Sequence, residues 1–377
     1  MADFINHHVY IPKFTHPAEV SGVTFGGFLA DKYINSQPNA RPDEGSPDVA
    51  HSGAAGSVPG VSRPGLPVWD YINFPKSMIV CCNKGKGYHL TSAFERASLA
   101  FLAHKFGTMP HGGNKNVNPP CDYTYTSEIG ILDEHLYSEN PSYCRALPGT
   151  GPNTWGHNHL PSGVFDLNGL VWEWCLMLMT TDGYPMVPGN INVSYLGSPY
   201  GRGTISDSGG ATPTLTCDGS SINWKKAWVA NEFAGMKLYI AEADASATGI
   251  LFDITSNTAT AIVLANGSAP GNGTATFCVF KTIATDITNG MTSGHRILSL
   301  RNSDADLKAF AIPASSDGTG SAVYGNDGFW FDKAATRAAL FGGNFDGEVR
   351  AGVFALYLNA APSPSNYNIG FRACKAL

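Results

Sequence analysis

Charge is scarce in this chain. Lys, Arg, Asp and Glu together make up 14% of the 377 residues, against roughly a quarter in an ordinary soluble protein. The net charge of −6 is not accompanied by any basic stripe, which argues against nucleic acid and anionic membrane as partners. Long apolar runs are missing as well. None approaches the ~18 residues a membrane helix needs, so no membrane insertion is expected. The opening MADFINHHVY has neither the basic nor the apolar stretch of a secretory leader. Paired metal-type cysteines are also lacking: none of Cys81, Cys82, Cys121, Cys144, Cys175, Cys217, Cys278 and Cys374 forms a C-x-x-C. The plain expectation is buried apolar thiols. A Cys121–Cys144 bridge does not follow from spacing alone.

What is abundant is glycine (43) and proline (24), in a chain that is still 43% hydrophobic. Such a chain folds, with many turns and loops, and is long enough for one large core and a smaller one. HVYIPKF (8–14) and GGFLADKYI (26–34) read as strands, and 36–66 as a long surface loop. Trp69, Ile72, Ile79 and Cys82 share an approximate helical face over 69–83, with Pro75 placed to interrupt it early. Ser92 and Glu95 form a capping box ahead of an apolar helical stripe, and Gly107 is a suitable residue to end it. Between about 210 and 283 the style changes. LYIAEA (238–243), ILFDIT (250–255), TAIVLA (260–265) and TATFCVF (274–280) are separated by Gly- and Asn-containing turns, as in a small all-β insertion.

Four separated segments carry a resemblance. FLADKYINS (28–36), HLTSAFERASLAFLA (89–103), GVFDLNGLVWEW (163–174) and FGGNF with IGFRAC (341–345, 369–374) resemble, in order, the formylglycine-generating-enzyme type of C-type-lectin fold. The expected fold is therefore α+β and lectin-like, with parts at 1–209 and 284–377 flanking an inserted β domain at 210–283. Each fragment also has a physical reading. Trp172 and Trp174 flank Glu173, so alternation sends the indoles and the carboxylate opposite ways. Arg372 is a candidate partner for Glu173. Gly342 and Gly343 permit positive φ and close backbone approach.

The chemistry of that family does not follow. Its oxidases need reactive thiolates shortly after the closing glycine pair, and 344–371 contains no cysteine, while Cys374 lies beyond the G-F-R motif. His157 and His159 form an H-x-H pair without an evident third ligand. Gln37-Pro38-Asn39 superficially matches a sugar-binding tripeptide, but no calcium motif accompanies it. Calcium could stabilise a loop of such a fold, yet no Asp/Glu spacing nominates one. No catalytic residue, metal ligand or cofactor is assigned, and the chain is expected not to be an enzyme.

The tail, 338–374, is similar to the C-terminal region of variable proteins of diversity-generating retroelements, a family that includes phage receptor-binding proteins. The resemblance implies adenine-directed mutagenesis, which turns Asn codons into mixtures that never encode Glu, Lys, Gln, Met or Trp. Phe345, Asp346, Val349, Arg350, Tyr357, Ala360, Ser363, Ser365 and Tyr367 interrupt the framework and belong to the allowed set; Glu348 does not. These nine are the candidate ligand-binding positions. Aromatic, Arg and small polar residues on a rigid frame suit a paratope. The implied partner is a protein or cell-surface ligand held by this face, and the implied location is a virion or a cell surface. WVANEFAGMKLYI (228–240) and ITSNTATAIVLAN (254–266) are similar to a small β module of phage structural proteins. A divergent oxidase and an invariant virion structural protein are the alternatives.

Overall fold

The computed structural model describes residues 7–42 apart from Pro17, 58–111, 127–189, 199–207, 212–217, 228–243, 249–265 and 270–377. Cys121, half of the bridge considered above, lies outside them.

The N-terminal part holds β1 (His8–Ile11), β2 (Phe14–His16), β3 (Val20–Phe25), β4 (Phe28–Asp31), the short pair β5 (Asn35–Ser36) and β6 (Val61–Ser62), helix α1 (Phe74–Cys82), β7 (Tyr88–Leu90), and helices α2 (Ala93–Phe106) and α3 (Glu134–Glu139). The apolar face that begins at Trp69 becomes helical only at Phe74. Asn73 caps α1, its side chain accepting from the Lys76 N–H at 3.1 Å. Pro75 falls in the first turn, where a missing N–H costs nothing, so it starts this helix rather than interrupting it. Trp69 and Ile72 are buried ahead of the helix.

Helix α2 is bounded as its sequence indicates. The Ser92 hydroxyl accepts from the Glu95 N–H, the Glu95 carboxylate accepts from the Ser92 N–H at 2.8 Å, and Gly107 closes the helix in the left-handed region at φ 65°. Glu95 is fully buried and is also held by His89 Nε2 at 2.8 Å.

The remaining strands are β8 (Trp172–Met179), β9 (Pro185–Pro188), β10 (Tyr200–Ser206), β11 (Thr214–Thr216), β12 (Lys237–Ala243), β13 (Ile250–Asn257), β14 (Ala261–Leu264), β15 (Gly273–Thr282), β16 (His295–Leu300), β17 (Pro313–Asp317), β18 (Gly328–Phe331), β19 (Arg337–Phe341), β20 (Leu356–Leu358), β21 (Ile369–Phe371) and β22 (Ala373–Ala376). A small sheet runs β1-β4-β22-β7, so the last strand sits between early ones. Strands β10-β11-β14-β13-β12-β15 pair in that order, and β15 returns to β10 with Tyr200 opposite Cys278 and Ile205 opposite Gly273. The chain is thus a mixed α+β fold containing a closed six-stranded barrel. Barrel core residues include Leu238, Ile240, Ile262, Leu264, Phe277 and Val279, with Trp228 and Phe233 packed among them.

The barrel keeps its own interior core, and its outer face packs against the rest of the molecule. The far end of β15 pairs with β9, Phe280 opposite Pro188, and β9 pairs with β8. Tyr239 meets Phe74 edge-on at 5.4 Å, and Tyr200 stacks on His89 at 4.1 Å. Beyond β8 the sheet continues β19-β20-β18-β16-β17, with β21 added parallel to β8. Every residue of β8 is buried, as a central strand covered on both faces requires.

Candidate functional site

The tail is built around one buried ion pair. Arg372 Nε lies 2.9 Å from Glu173, and its two terminal nitrogens donate to the carbonyls of Asp31 and Phe165, each at 2.8 Å. Arg96 approaches the same carboxylate at 3.6 Å and donates to the Leu167 carbonyl. One guanidinium thus joins the last strands to β4, β8 and the GVFDL loop. Glu173 does not reach solvent; it is 2% exposed and takes up these two cations inside the molecule.

Gly342 and Gly343 have φ of 94° and 73°. A Cβ on Gly342 would lie 2.7 Å from Arg96 Nη2, and one on Gly343 only 2.3 Å from the Ala351 Cβ. Both glycines are therefore required by conformation and by space. The Gly342 carbonyl accepts from the Gly169 N–H at 2.9 Å, fixing the start of the loop.

From there the chain runs irregularly between short strands. Of the nine nominated positions, Asp346, Ser363 and Ser365 are exposed, Val349, Arg350, Tyr357, Ala360 and Tyr367 are half-buried, and Phe345 is fully buried. Phe345 sits beneath two half-buried rings, Tyr143 at 6.3 Å and Tyr367 at 6.1 Å.

Two aromatic patches result. In the first, Tyr143 stacks on Tyr367 with centroids 4.0 Å apart and planes 16° apart. Burial, the hydrogen bond to Tyr143 and the Asp346 carboxylate all push the Tyr367 hydroxyl upward in pKa. In the second, Trp172 lies 5.5 Å from Trp330 and 5.3 Å from Tyr357, and the Arg350 guanidinium sits over the Trp330 ring at 5.6 Å. The register explains this grouping. Trp330 is opposite Tyr357 in the parallel β18–β20 pair, and Tyr357 is opposite Leu340 of β19. The patches are joined through the backbone, because the Trp172 N–H donates to the carbonyl of Asn368, the neighbour of Tyr367.

Tyr143, Trp330 and Arg145 are participants that reading the sequence missed. Arg145 is buried, pairs with Asp70 at 2.9 Å and Asp133 at 2.8 Å, and donates to the Tyr367 carbonyl at 2.6 Å. Burial works to lower its pKa, and the two carboxylates more than reverse this. The alternation in GFWF could have marked Trp330 as outward-facing. Nothing local marks Tyr143 or Arg145.

The His157–His159 pair belongs to loop structure. His157 is buried and Nδ1 accepts from the Val164 N–H at 2.9 Å, while His159 Nε2 lies 2.9 Å from the Met109 carbonyl. Among the described residues no three His, Cys, Asp or Glu side chains converge on one point. Seven cysteines are described, all as thiols and all buried except the half-buried Cys144. No helix of the described residues is long and apolar enough to cross a membrane.

No family model and no curated protein sequence matches the chain. Among solved structures, 98% of it aligns with a Major Tropism Determinant I1 variant at 14% identity and with the U1 variant at 13%, both with a TM-score of 0.32. The chain spans 55% of the length of each of those chains.

Proposed function

We propose that this chain is a ligand-binding display protein. Its scaffold is a C-type-lectin-like fold of the formylglycine-generating type, and its tail, 338–374, is a surface diversified by a retroelement. It carries out no reaction. It binds protein or cell-surface ligands, and it acts from a virion or a cell surface.

The observation that carries this reading is the contrast within the tail. Gly342, Gly343, Ile369, Phe371 and Arg372 are buried and immobilised, whereas eight of the nine nominated positions reach the surface. Six of the eight do so as rings, a guanidinium, a carboxylate and hydroxyls, the side chains a paratope uses, and Val349 and Ala360 add small apolar surface. The thiols support the absence of oxidase chemistry: burial pushes those of Cys175 and Cys374 well up, away from the thiolate.

The test is a library of the full chain randomised at the eight surface positions. Most members are expected to fold with unchanged melting temperature, and selection against unrelated protein targets should return different tails for different targets. A library that is mostly unfolded, or that yields no target-dependent binders, defeats the proposal.

A further inference from the structure

Beside the tail lies a cavity of about 230 Å³, lined by Asp327, Asn168, His111, Ala322, Val349 and Gly352 among others. Only Val349 is one of the nine nominated positions. Two of its walls are buried oxygen-bearing side chains: among the described residues, the Asp327 carboxyl is held only by backbone N–H groups of Phe354 and Ala355, and the amide oxygen of Asn168 has no donor. Asp327 is 1% exposed; Oδ2 accepts from the Phe354 N–H at 2.7 Å, and among the described residues no cation pairs with the carboxylate. Asn168 is 9% exposed, and its amide orientation is fixed because Nδ2 donates to the Pro110 carbonyl at 2.8 Å. Its Oδ1 is therefore the atom left over, and it is buried without a donor. An acceptor in that condition is destabilising until a donor reaches it.

The backbone packs closely against the Asp327 carboxylate at two glycines. A Cβ on Gly352 would lie 1.9 Å from Asp327 Oδ1, and one on Gly325 2.7 Å from the same atom. Gly325 and Asn326 both have positive φ, 68° and 58°, so the loop that presents the carboxylate is held in a conformation few residues adopt.

We infer that this cavity is a binding subsite for an organic cation, a guanidinium or ammonium group such as the end of an Arg or Lys side chain, held by the Asp327 carboxylate and the Asn168 carbonyl oxygen. The chemistry is one-sided: an amide oxygen without a donor and a carboxyl with no cation paired to it among the described residues suit a group that carries several donors and a positive charge. The volume is below that of a drug-sized pocket and suits the end of one side chain. A bare metal ion fits poorly, because two side-chain oxygens fall short of the six to eight that calcium takes. The inference stands on the cavity itself and holds whether or not the neighbouring tail is diversified.

Burial raises the Asp327 carboxyl to about 8, against smaller opposing effects from the Phe354 N–H and Arg96. A cation entering at neutral pH therefore displaces a proton. Among the described residues, Arg96, committed to Leu167 and Glu173, and His111, paired with Glu128 at 3.0 Å, are the other charged or titratable groups facing this carboxylate and cavity.

The experiment titrates the full chain with n-butylguanidinium and with its neutral analogue n-butylurea, by calorimetry and by NMR. The guanidinium is expected to bind with a Kd on the order of millimolar, at least tenfold tighter than the urea. Its affinity should rise about tenfold per pH unit up to about 8 and level off above, with the same profile in His111→Gln. Asp327→Asn should lose at least tenfold. Ala322→Trp, at an exposed residue of the mouth, should block binding without altering the melting temperature. Equal binding of the urea, unchanged binding in a folded Ala322→Trp, or displacement of the guanidinium by micromolar calcium would each overturn the assignment.

Discussion

Replacing Arg372 by Met probes the joint that holds the tail. The substitution keeps the aliphatic stem and removes the contact to Glu173 at 2.9 Å and the donors to the Asp31 and Phe165 carbonyls. Breaking a buried pair from one side costs about 3–5 kcal/mol, mostly because the partner is left charged and unpaired. Here Arg96 remains 3.6 Å from Glu173, so the lower half of that range, about 3–4 kcal/mol, is expected. With an unfolding entropy of roughly 2.1 cal/mol/K per residue, a chain of this length has about 0.8 kcal/mol/K at its midpoint, and the melting temperature should fall by about 4–5 °C. Glu173→Gln should be worse than Arg372→Met, because it strands two buried guanidiniums rather than one carboxylate. Thermal unfolding followed by circular dichroism measures both. A fall below 1 °C for Arg372→Met, or a milder effect of Glu173→Gln, would refute the reasoning.

Gly343→Ala should destabilise by about 2 kcal/mol or more, since its φ of 73° and the 2.3 Å approach to the Ala351 Cβ both exclude a side chain; urea unfolding reads it, and a neutral result would contradict the packing described. Surface changes at Asp346, Ser363 and Ser365 should each stay within about 0.5 kcal/mol in the same assay. Burial lowers His157 from 6.5 to about 4. The folded state therefore favours the neutral ring, so its contribution is complete above pH 6.5 and is lost as pH falls towards 4, by roughly 3 kcal/mol at most. His157→Gln should flatten the stability profile in that window, and an unchanged slope would show that other groups set it.

Features written within a few residues of one another were legible in the sequence. The Ser92–Glu95 box and the Gly107 cap are local hydrogen-bond chemistry, and each barrel strand from β12 to β15 has its own apolar run bounded by turn residues. The Glu173–Arg372 pair spans the chain, yet it could be nominated because both residues sit in dense apolar motifs where a charge needs a partner. Closure of the barrel was not legible, since it depends on β15 returning to β10 and nothing in either strand records that pairing. Nor were the roles of Arg145, Tyr143 and Asp327, which come from loops whose composition only reads as surface. Pro75 shows the opposite limit: the residue is ambiguous until Asn73 is seen capping the turn it begins. Membership of the nine nominated positions likewise says nothing about exposure, as the buried Phe345 illustrates.

The central claim is that the tail varies while its frame does not. Sequencing the coding DNA of a natural population over codons 335–377 and the flanking kilobases tests it most directly. The account predicts substitutions concentrated at Phe345, Asp346, Val349, Arg350, Tyr357, Ala360, Ser363, Ser365 and Tyr367, a constant Gly342, Gly343 and Arg372, an adenine-rich near-copy of the segment, and a reverse transcriptase gene nearby. A uniform tail with no near-copy would contradict it.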